Sequence, residues 1–167
     1  MPSVKKYHTY RKLWIGAGAG LAATLPMTLF MRSAWKWLPP EERYALPPRQ
    51  ITQKVVGPRQ FWRMKPGQQT LLTLMFHFLF GAAMGSIYGI VEQNIPMQNI
   101  VKGSLAGLAV WAGSYLGWIP ALGILPPATK HPYRRNGLMV VAHLIWGFTL
   151  GVLARVMNSE KSYITIQ

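Results

Sequence analysis

The sequence predicts an all-α membrane protein with four transmembrane helices, arranged as two parallel helical hairpins in tandem. Four mostly apolar stretches have the roughly 17–25 residues that cross a bilayer, at 13–31, 71–91, 100–119 and 138–157. Glycine motifs recur in the same order in the two halves of the chain. Of the 18 Lys and Arg residues, all except Lys102 and Arg155 lie outside the four stretches. This placement is typical of basic residues that contact lipid head groups.

The first stretch, 13–31, follows a basic N-terminal segment. A basic segment before an apolar run is also typical of a signal peptide. The run continues past Phe30 toward Trp35 and Trp37, beyond the length of a usual signal sequence. We therefore expect a retained first transmembrane helix.

The first loop, 38–70, is too long for a connection without structure of its own. Its apolar residues alternate with Arg and Lys, which predicts a segment that lies in the membrane interface. The run Pro-Pro-Glu-Glu at 39–42 resembles a helix start, since proline suits the first turn and acidic residues suit the positive end of the helix dipole.

Two blocks of residues indicate an internal repeat. Gly16 and Gly20 recur as Gly103 and Gly107, and His77, Gly81 and Gly85 recur as His143, Gly147 and Gly151. A repeat with an even number of helices keeps its orientation, so the halves are parallel and not inverted. We expect a single four-helix domain in which repeat one covers 13–91, repeat two covers 100–157 and a polar tail occupies 158–167.

Pairs of glycines four residues apart form small faces on which helices approach closely in membranes. Such pairs occur in every predicted span, and they are Gly16/Gly20, Gly81/Gly85, Gly103/Gly107, Gly113/Gly117 and Gly147/Gly151. They predict a compact bundle with faces left for other membrane-protein subunits.

His77 and His143 are the only side chains well inside the predicted spans that titrate near neutral pH. Ionisable groups in hydrocarbon are costly and therefore mark candidate functional sites. Both histidines lie at equal depth from the same membrane face, so a shared site is geometrically feasible. One interpretation is that each ring forms a packing hydrogen bond to a neighbouring helix. Another interpretation is a proton relay, because histidine titrates near neutral pH.

A further interpretation is axial ligation of haem b, of another tetrapyrrole or of a transition metal by the two histidines. Gly81 and Gly147 would then leave room for a flat ring. Basic residues in the loops on that face could contact haem propionates or lipid phosphates, and these are Arg49, Arg134 and Arg135.

The composition argues against several classes of protein. The chain contains no cysteine, which removes disulfides and cysteine-ligated metals. It contains four Asp and Glu residues in total, and no paired-carboxylate site or phosphate-binding glycine loop can be assembled from the sequence. We therefore expect no enzymatic activity. The net charge of +14 indicates anionic lipid head groups as partners, not nucleic acid.

Three short motifs extend over most of the chain: Leu46-Pro-Pro-Arg49, His77 with Tyr88 eleven residues later, and Ala142-His143-Leu-Ile-Trp146. Together they resemble the YagU-like bacterial inner-membrane proteins. The resemblance implies a bacterial inner-membrane location and an association with acid tolerance, and it implies no catalytic residues. Glu92 lies near a position that the resemblance implies to be acidic.

These observations predict a multi-pass inner-membrane protein that serves as a non-enzymatic accessory or structural subunit of a larger membrane complex, without a cofactor. The first alternative is a bis-histidine haem protein that transfers electrons through His77 and His143. The second is a small transporter or proton-conducting protein. The basic residues are divided between both sides of the predicted bundle, so the charge rule assigns no orientation.

Overall fold

The chain folds as a bundle of long helices joined by short ones, and the computed structural model describes residues 4–159, with side chains from residue 9 to residue 158. The helices are α1 (Val4–Ala34), α2 (Pro47–Val56), α3 (Pro58–Arg63), α4 (Pro66–Val91), α5 (Asn99–Ala112), α6 (Ile119–Ala121) and α7 (Tyr133–Ser159). A π-helix, Gly113–Trp118, joins α5 to α6. Within residues 4–159 there is no β-strand. The all-helical prediction is confirmed, and most of the predicted polar tail lies outside the described residues.

Within the described part of the chain, three helices are long and apolar enough to cross a membrane, over Thr9–Trp37, Pro66–Asn94 and Tyr133–Asn158. The fourth predicted span, 100–119, differs from the expectation of a regular helix. Its α-helical part, α5, is only 14 residues long, because the chain then widens into the π-helix and leaves helical geometry at Gly117. The structure thus establishes a membrane protein with three such spans.

The first loop contains two helices, α2 and α3, and a 3₁₀ turn at Pro40–Glu42. The turn begins at the predicted Pro-Pro-Glu-Glu helix start. The predicted interfacial segment is helical but is partly covered by protein. Thr52 of α2 and Phe61 of α3 are fully buried, whereas Val55 and Trp62 are exposed. Helix α2 therefore packs on α4 and does not lie free on the bilayer.

Helix α1 lies between α4 and α7, and α5 packs on α7. The core between these helices consists mainly of alanine, methionine and aromatic side chains. The indole Nε1 of Trp146 on α7 donates a hydrogen bond to the carbonyl oxygen of Gly20 on α1, at 3.1 Å. By contrast, α4 and α5 make few direct contacts. The interior is therefore enclosed less tightly between α4 and α5 than elsewhere.

The contact between α1 and α4 is a seam of main chain against main chain. A Cβ atom on Gly16 would overlap the carbonyl oxygen of Gly85, and one on Gly20 would overlap that of Gly81. Gly89 approaches the carbonyl of Lys12 in the same way. Only glycine lets two helix backbones come this close, which is how helices associate where no hydrophobic effect drives them together.

A second seam joins α5 to α7. A Cβ atom on Gly147 would overlap the carbonyl oxygen of Gly103, and one on Gly107 would overlap that of His143. Gly20 faces Gly81 and Gly85, and Gly103 faces their counterparts in the repeat, Gly147 and Gly151. In packing terms Gly103 therefore corresponds to Gly20, whereas sequence spacing aligns Gly103 with Gly16. The two seams therefore differ from the sequence repeat by one helical turn.

The seams correct two expectations about glycine faces. Gly113 and Gly117 have no other part of the described chain within 4 Å of the place where a Cβ atom would stand, so this pair forms no packed face inside the bundle. The remaining predicted pairs are all occupied by helices of this same chain. Another subunit cannot pack on these glycines, because the neighbouring helices of this chain already cover their backbone.

The short loop at 92–98 is tied to the start of α5 by a buried ion pair. Lys102 Nζ lies 2.8 Å from a carboxylate oxygen of Glu92 and donates a second hydrogen bond to the Glu92 carbonyl at 3.0 Å. The two side chains are 8% and 15% exposed. Lys12 of α1 donates to Gln93 in the same loop. The one basic residue near the start of the fourth predicted span is thus neutralised.

Candidate functional site: an apolar cavity beside a basic pocket

A cavity of about 300 Å³ lies among α1, α4, α7 and the π-helix, and α2 covers one side of it. We call it the apolar cavity, because most of its lining is aliphatic or aromatic; Met27, Ile51, Phe80, Tyr115 and Trp146 are examples. Its volume is near the lower end of the range of about 300–1,000 Å³ found for small-molecule sites. The structure thus provides a ligand-sized space within the bundle.

The π-helix contributes a wall of the apolar cavity. Ser114, Tyr115, Trp118 and Ile119 line it, and Ser114 and Tyr115 are buried. π-Helical turns within α-helices occur frequently at functional sites, because the extra residue redirects side chains. The Tyr115 hydroxyl donates a long hydrogen bond to the Met139 sulfur, at 3.7 Å. The irregular part of the fourth predicted span therefore shapes the cavity.

His143 lines the apolar cavity from α7 and is only 6% exposed. Its Nδ1 lies 2.7 Å from the carbonyl oxygen of Met139, one turn earlier on the same helix. A carbonyl oxygen can only accept, so Nδ1 carries the proton and Nε2 of the neutral ring is an acceptor. The ring edge also contacts Tyr115, with centroids 6.0 Å apart. The Nε2 lone pair is thus left for a ligand.

His77 lines the same cavity from α4. Both histidines lie about three helical turns from the start of their helices. The His77 Nε2 atom is buried without a hydrogen-bond partner within the described residues. A buried polar nitrogen left unpaired costs roughly 1–3 kcal/mol. This nitrogen is therefore free to pair with a group outside the chain, either a ligand or a water molecule.

A second cavity, of about 400 Å³, adjoins the first near the first loop. We call it the basic pocket, because Arg32, Lys36 and Arg49 line it. His77 lines both spaces, and so do Met31 and Pro48. The two cavities are therefore neighbours, with His77 at the boundary between them.

The three predicted anion-contacting arginines have different environments. Arg49 lines the basic pocket, donates to Gln69 at 2.5 Å and lies over the Phe61 ring at 5.3 Å. Arg134 is exposed and lies over the neighbouring Tyr133 ring at 5.5 Å. Of the three, only Arg49 lines one of the two cavities.

Arg135, the third arginine predicted to contact propionates or phosphates, lines neither cavity and instead bonds to the backbone of the first loop. Arg135 is 4% exposed and donates to three carbonyl oxygens of the first loop, those of Glu42 at 2.7 Å, Tyr44 at 3.0 Å and Ala45 at 3.1 Å. Its guanidinium also lies 3.5 Å from the Tyr44 ring centre. Its donors therefore hold the first loop on α7, because guanidinium geometry suits several carbonyls at once.

The loop before α7 joins this contact through His131. The Tyr44 hydroxyl and His131 Nδ1 lie 2.7 Å apart. Burial, together with the neighbouring Arg135 charge, lowers the pKa of His131, although a backbone hydrogen bond at Pro126 opposes that shift. The neutral form of the His131 ring is therefore favoured. The Tyr44–His131 contact joins the first loop to the loop that precedes α7.

The role expected for Gly81 and Gly147 also changes. The space beside Gly147 is filled by the α5 backbone and that beside Gly81 by the Thr24 side chain, so neither glycine leaves room for a flat ring. Among the described residues no group of three or more His, Asp or Glu side chains could hold a metal ion. His77 and His143 are the two imidazoles in the lining of the apolar cavity.

Sequence reasoning overlooked Tyr115 and Thr24 as cavity residues. Neither carries a signal in the sequence, because a tyrosine or threonine within an apolar span is common and the π-helix that directs Tyr115 inward follows from packing. The one sequence feature that could have indicated the distorted helix is the Gly113/Gly117 pair, since glycine permits the backbone conformation observed at Gly117.

The fold and the cavity define a class: a multi-pass α-helical membrane protein with a small apolar cavity between its helices. A family model described as "Protein of unknown function (DUF1440)" matches residues 27–152, and the chain belongs to that family. Over 87 residues the chain is 22% identical to "Inner membrane protein YagU" of Escherichia coli (strain K12). The resemblance to YagU-like proteins and the inner-membrane location are thereby confirmed.

The match to that relative is partial. It includes 52% of this chain and 43% of the relative, so the chain spans less than half the length of the curated relative that it matches. No solved structure matches the chain.

Proposed function

We propose that this protein is a non-enzymatic, four-span membrane protein that binds a small apolar or amphiphilic molecule in the apolar cavity. The observation that carries this proposal is the orphaned Nε2 of His77 in the lining of a ligand-sized cavity. The acceptor Nε2 of His143 supports it, since binding sites typically combine an apolar lining with a few polar groups that orient the ligand.

Occupancy of the cavity can be measured through Trp146, which lines it and is 3% exposed. We expect the methyl ester of bromine-labelled decanoate to quench a variant whose sole tryptophan is Trp146, with saturation at about one molecule per protein. Bromine quenches indole only at close contact, so a chain inside the cavity gives a saturable signal.

The matched control keeps only Trp14, which is 72% exposed on α1. Its quenching should rise in proportion to the amount of ester in the micelle, without saturation. If Trp146 behaved like Trp14, or were not quenched at all, the cavity proposal would be wrong. A Soret band in the purified protein would instead favour the bis-histidine haem alternative.

The fourth span in this proposal consists of α5, the π-helix and α6, residues 99–121. Three features support it: helical elements follow one another from 99 to 121 with a single kink at Gly117, the segment packs along α7, and its glycine seam resembles that between α1 and α4. Such a span places the loop at 92–98 and the loop at 122–132 on opposite membrane faces.

This topology can be tested because the chain contains no cysteine. We expect a cysteine at Thr129 to react with an impermeant maleimide from the same side as one at Gln68, and from the opposite side to one at Met97. All three positions are exposed. Helix α4 separates Gln68 from Met97 and so calibrates the assay. Labelling of Thr129 together with Met97 would show that residues 99–121 re-enter the membrane without crossing it.

A second candidate function is the accessory-subunit role. It is favoured by Gly113 and Gly117, whose backbones have open space beside them on the outside of the bundle. A partner helix could approach that surface closely. The proton-conducting alternative receives less support, because no acidic side chain lines either cavity within the described residues.

A further inference from the structure

We infer that the ligand is a single-chain anionic amphiphile, whose alkyl chain occupies the apolar cavity and whose charged head occupies the basic pocket. This inference rests on the proposed function and adds the chemistry of the head and the number of chains. It follows from the charge of the basic pocket, from its continuity with the cavity and from the cavity volume.

The basic pocket carries positive charge without compensation. Arg32, Lys36 and Arg49 line it, and no Asp or Glu does so within residues 9–158. The side chains of Arg32 and Lys36 are exposed and form no hydrogen bond or ion pair with the described part of the chain. Arg49 has one donor engaged with Gln69 and is held against Phe61, which orients the guanidinium while leaving further N–H donors. Three cations around one space favour a carboxylate or phosphate.

Apart from His77 at the boundary, the other polar groups of the pocket do not supply donors for an anion. Thr28, Thr70 and Thr73 each donate their hydroxyl hydrogen to a carbonyl oxygen on their own helix. A hydroxyl has a single hydrogen to donate. Recognition of the head therefore depends on the three cations.

The two spaces meet where one molecule can extend from one into the other. Met31, Pro48 and His77 line both, and the orphaned His77 Nε2 lies at this boundary. A molecule with its head among the cations would place its first carbons beside His77 and the rest of its chain among the apolar side chains. From the basic pocket to the apolar cavity the lining changes from charged to apolar, as an amphiphile does from its head to its chain.

The cavity volume favours one chain. If a methylene-sized group occupies the roughly 30 Å³ of a water molecule, the cavity of about 300 Å³ has room for about ten such groups. This is one alkyl chain of moderate length. The two chains of a bilayer phospholipid exceed that space.

The test compares two probes with the same chain, bromine-labelled decanoate and its methyl ester, on the sole-Trp146 protein in a neutral maltoside detergent above neutral pH. We expect the carboxylate to reach half-maximal quenching at a concentration at least about tenfold below that of the ester, because charge-assisted hydrogen bonds add to the same chain contacts. The double variant Arg32→Gln/Lys36→Gln should lose this preference and keep its response to the ester.

A matched control, Lys54→Gln/Arg59→Gln, removes two exposed first-loop cations that do not line the pocket and should keep the preference. Equal quenching by carboxylate and ester would overturn the anionic inference and leave the cavity proposal intact. Loss of preference in the control to the same extent would overturn it as well, because attraction would then be general. Saturable quenching by a bromine-labelled two-chain anionic phospholipid at decanoate-like concentrations would overturn the single-chain assignment. Failure of both decanoate probes would end the proposed function too.

Discussion

Gly147→Ala is expected to lower the melting temperature of the detergent-solubilised protein by roughly 2–12 °C, which corresponds to an overpacking cost of about 1–3 kcal/mol in a chain of this size. The added methyl group would overlap the carbonyl oxygen of Gly103 on α5. Backbone atoms cannot rotate away as a side chain can, so the two helices must move apart along the whole seam. Thermal unfolding followed by intrinsic fluorescence or by monodispersity measures the loss.

Gly113→Ala is the matched control for this change. Gly113 has no other part of the described chain near a Cβ position, and its φ of −59° and ψ of −34° are helical. Alanine favours helix over glycine by up to about 1 kcal/mol, so this variant should melt at the wild-type temperature or above it. Equal losses in both variants would contradict the prediction, because the cost would then not come from the contact across the seam.

Arg135→Met is expected to release the first loop from α7 and to destabilise the protein by about 3 kcal/mol or more, since hydrogen bonds to charged groups contribute about 1.5–3 kcal/mol each. The carbonyl oxygens of Glu42, Tyr44 and Ala45 lose the Arg135 donor together, while that of Tyr44 keeps the Trp35 indole as a second donor. Limited trypsin digestion reports the release, because four exposed Lys and Arg residues of the loop are cleavage sites: Arg43, Lys54, Arg59 and Arg63.

The adjacent change Arg134→Met separates this contact from a general loss of charge. Arg134 is exposed, and its ring contact is with the neighbouring Tyr133 alone. Cleavage of the first loop should stay at the wild-type rate in that variant and accelerate several-fold in Arg135→Met. If both variants were cleaved alike, the Arg135 hydrogen bonds would not be what holds the loop.

The parts of this fold that follow from local composition were predictable from the sequence. Span length predicts α1, α4 and α7 because the bilayer fixes how many apolar residues a helix needs. Glycine spacing predicts the two seams between helices, although it aligned the second seam with the first one helical turn away from the observed register. It also included Gly113 and Gly117, which no other helix contacts within the described residues. Counting residues from the starts of the predicted spans also placed His77 and His143 equally far along their helices, and both lie about three turns from their helix starts.

The features that depend on distant contacts were not predictable. Arg135 bonds to carbonyls about 90 positions away in the chain, and no pattern around Arg135 distinguishes it from Arg134. The π-helix depends on how α5 meets the rest of the bundle. The cover formed by α2 depends on the same long-range packing, which is why the first loop looked interfacial from its composition alone.

The glycine seams have a consequence for how this chain can evolve. In an ordinary core, a larger side chain on one helix can be accommodated by a smaller one opposite. Between Gly103 and Gly147 both partners have already reached the smallest size, and the contact is between backbones. No compensating substitution across the seam can therefore restore the space. A substitution at either position therefore reduces stability whatever residue stands at the other. We expect functional descendants of this chain to keep glycine at both positions.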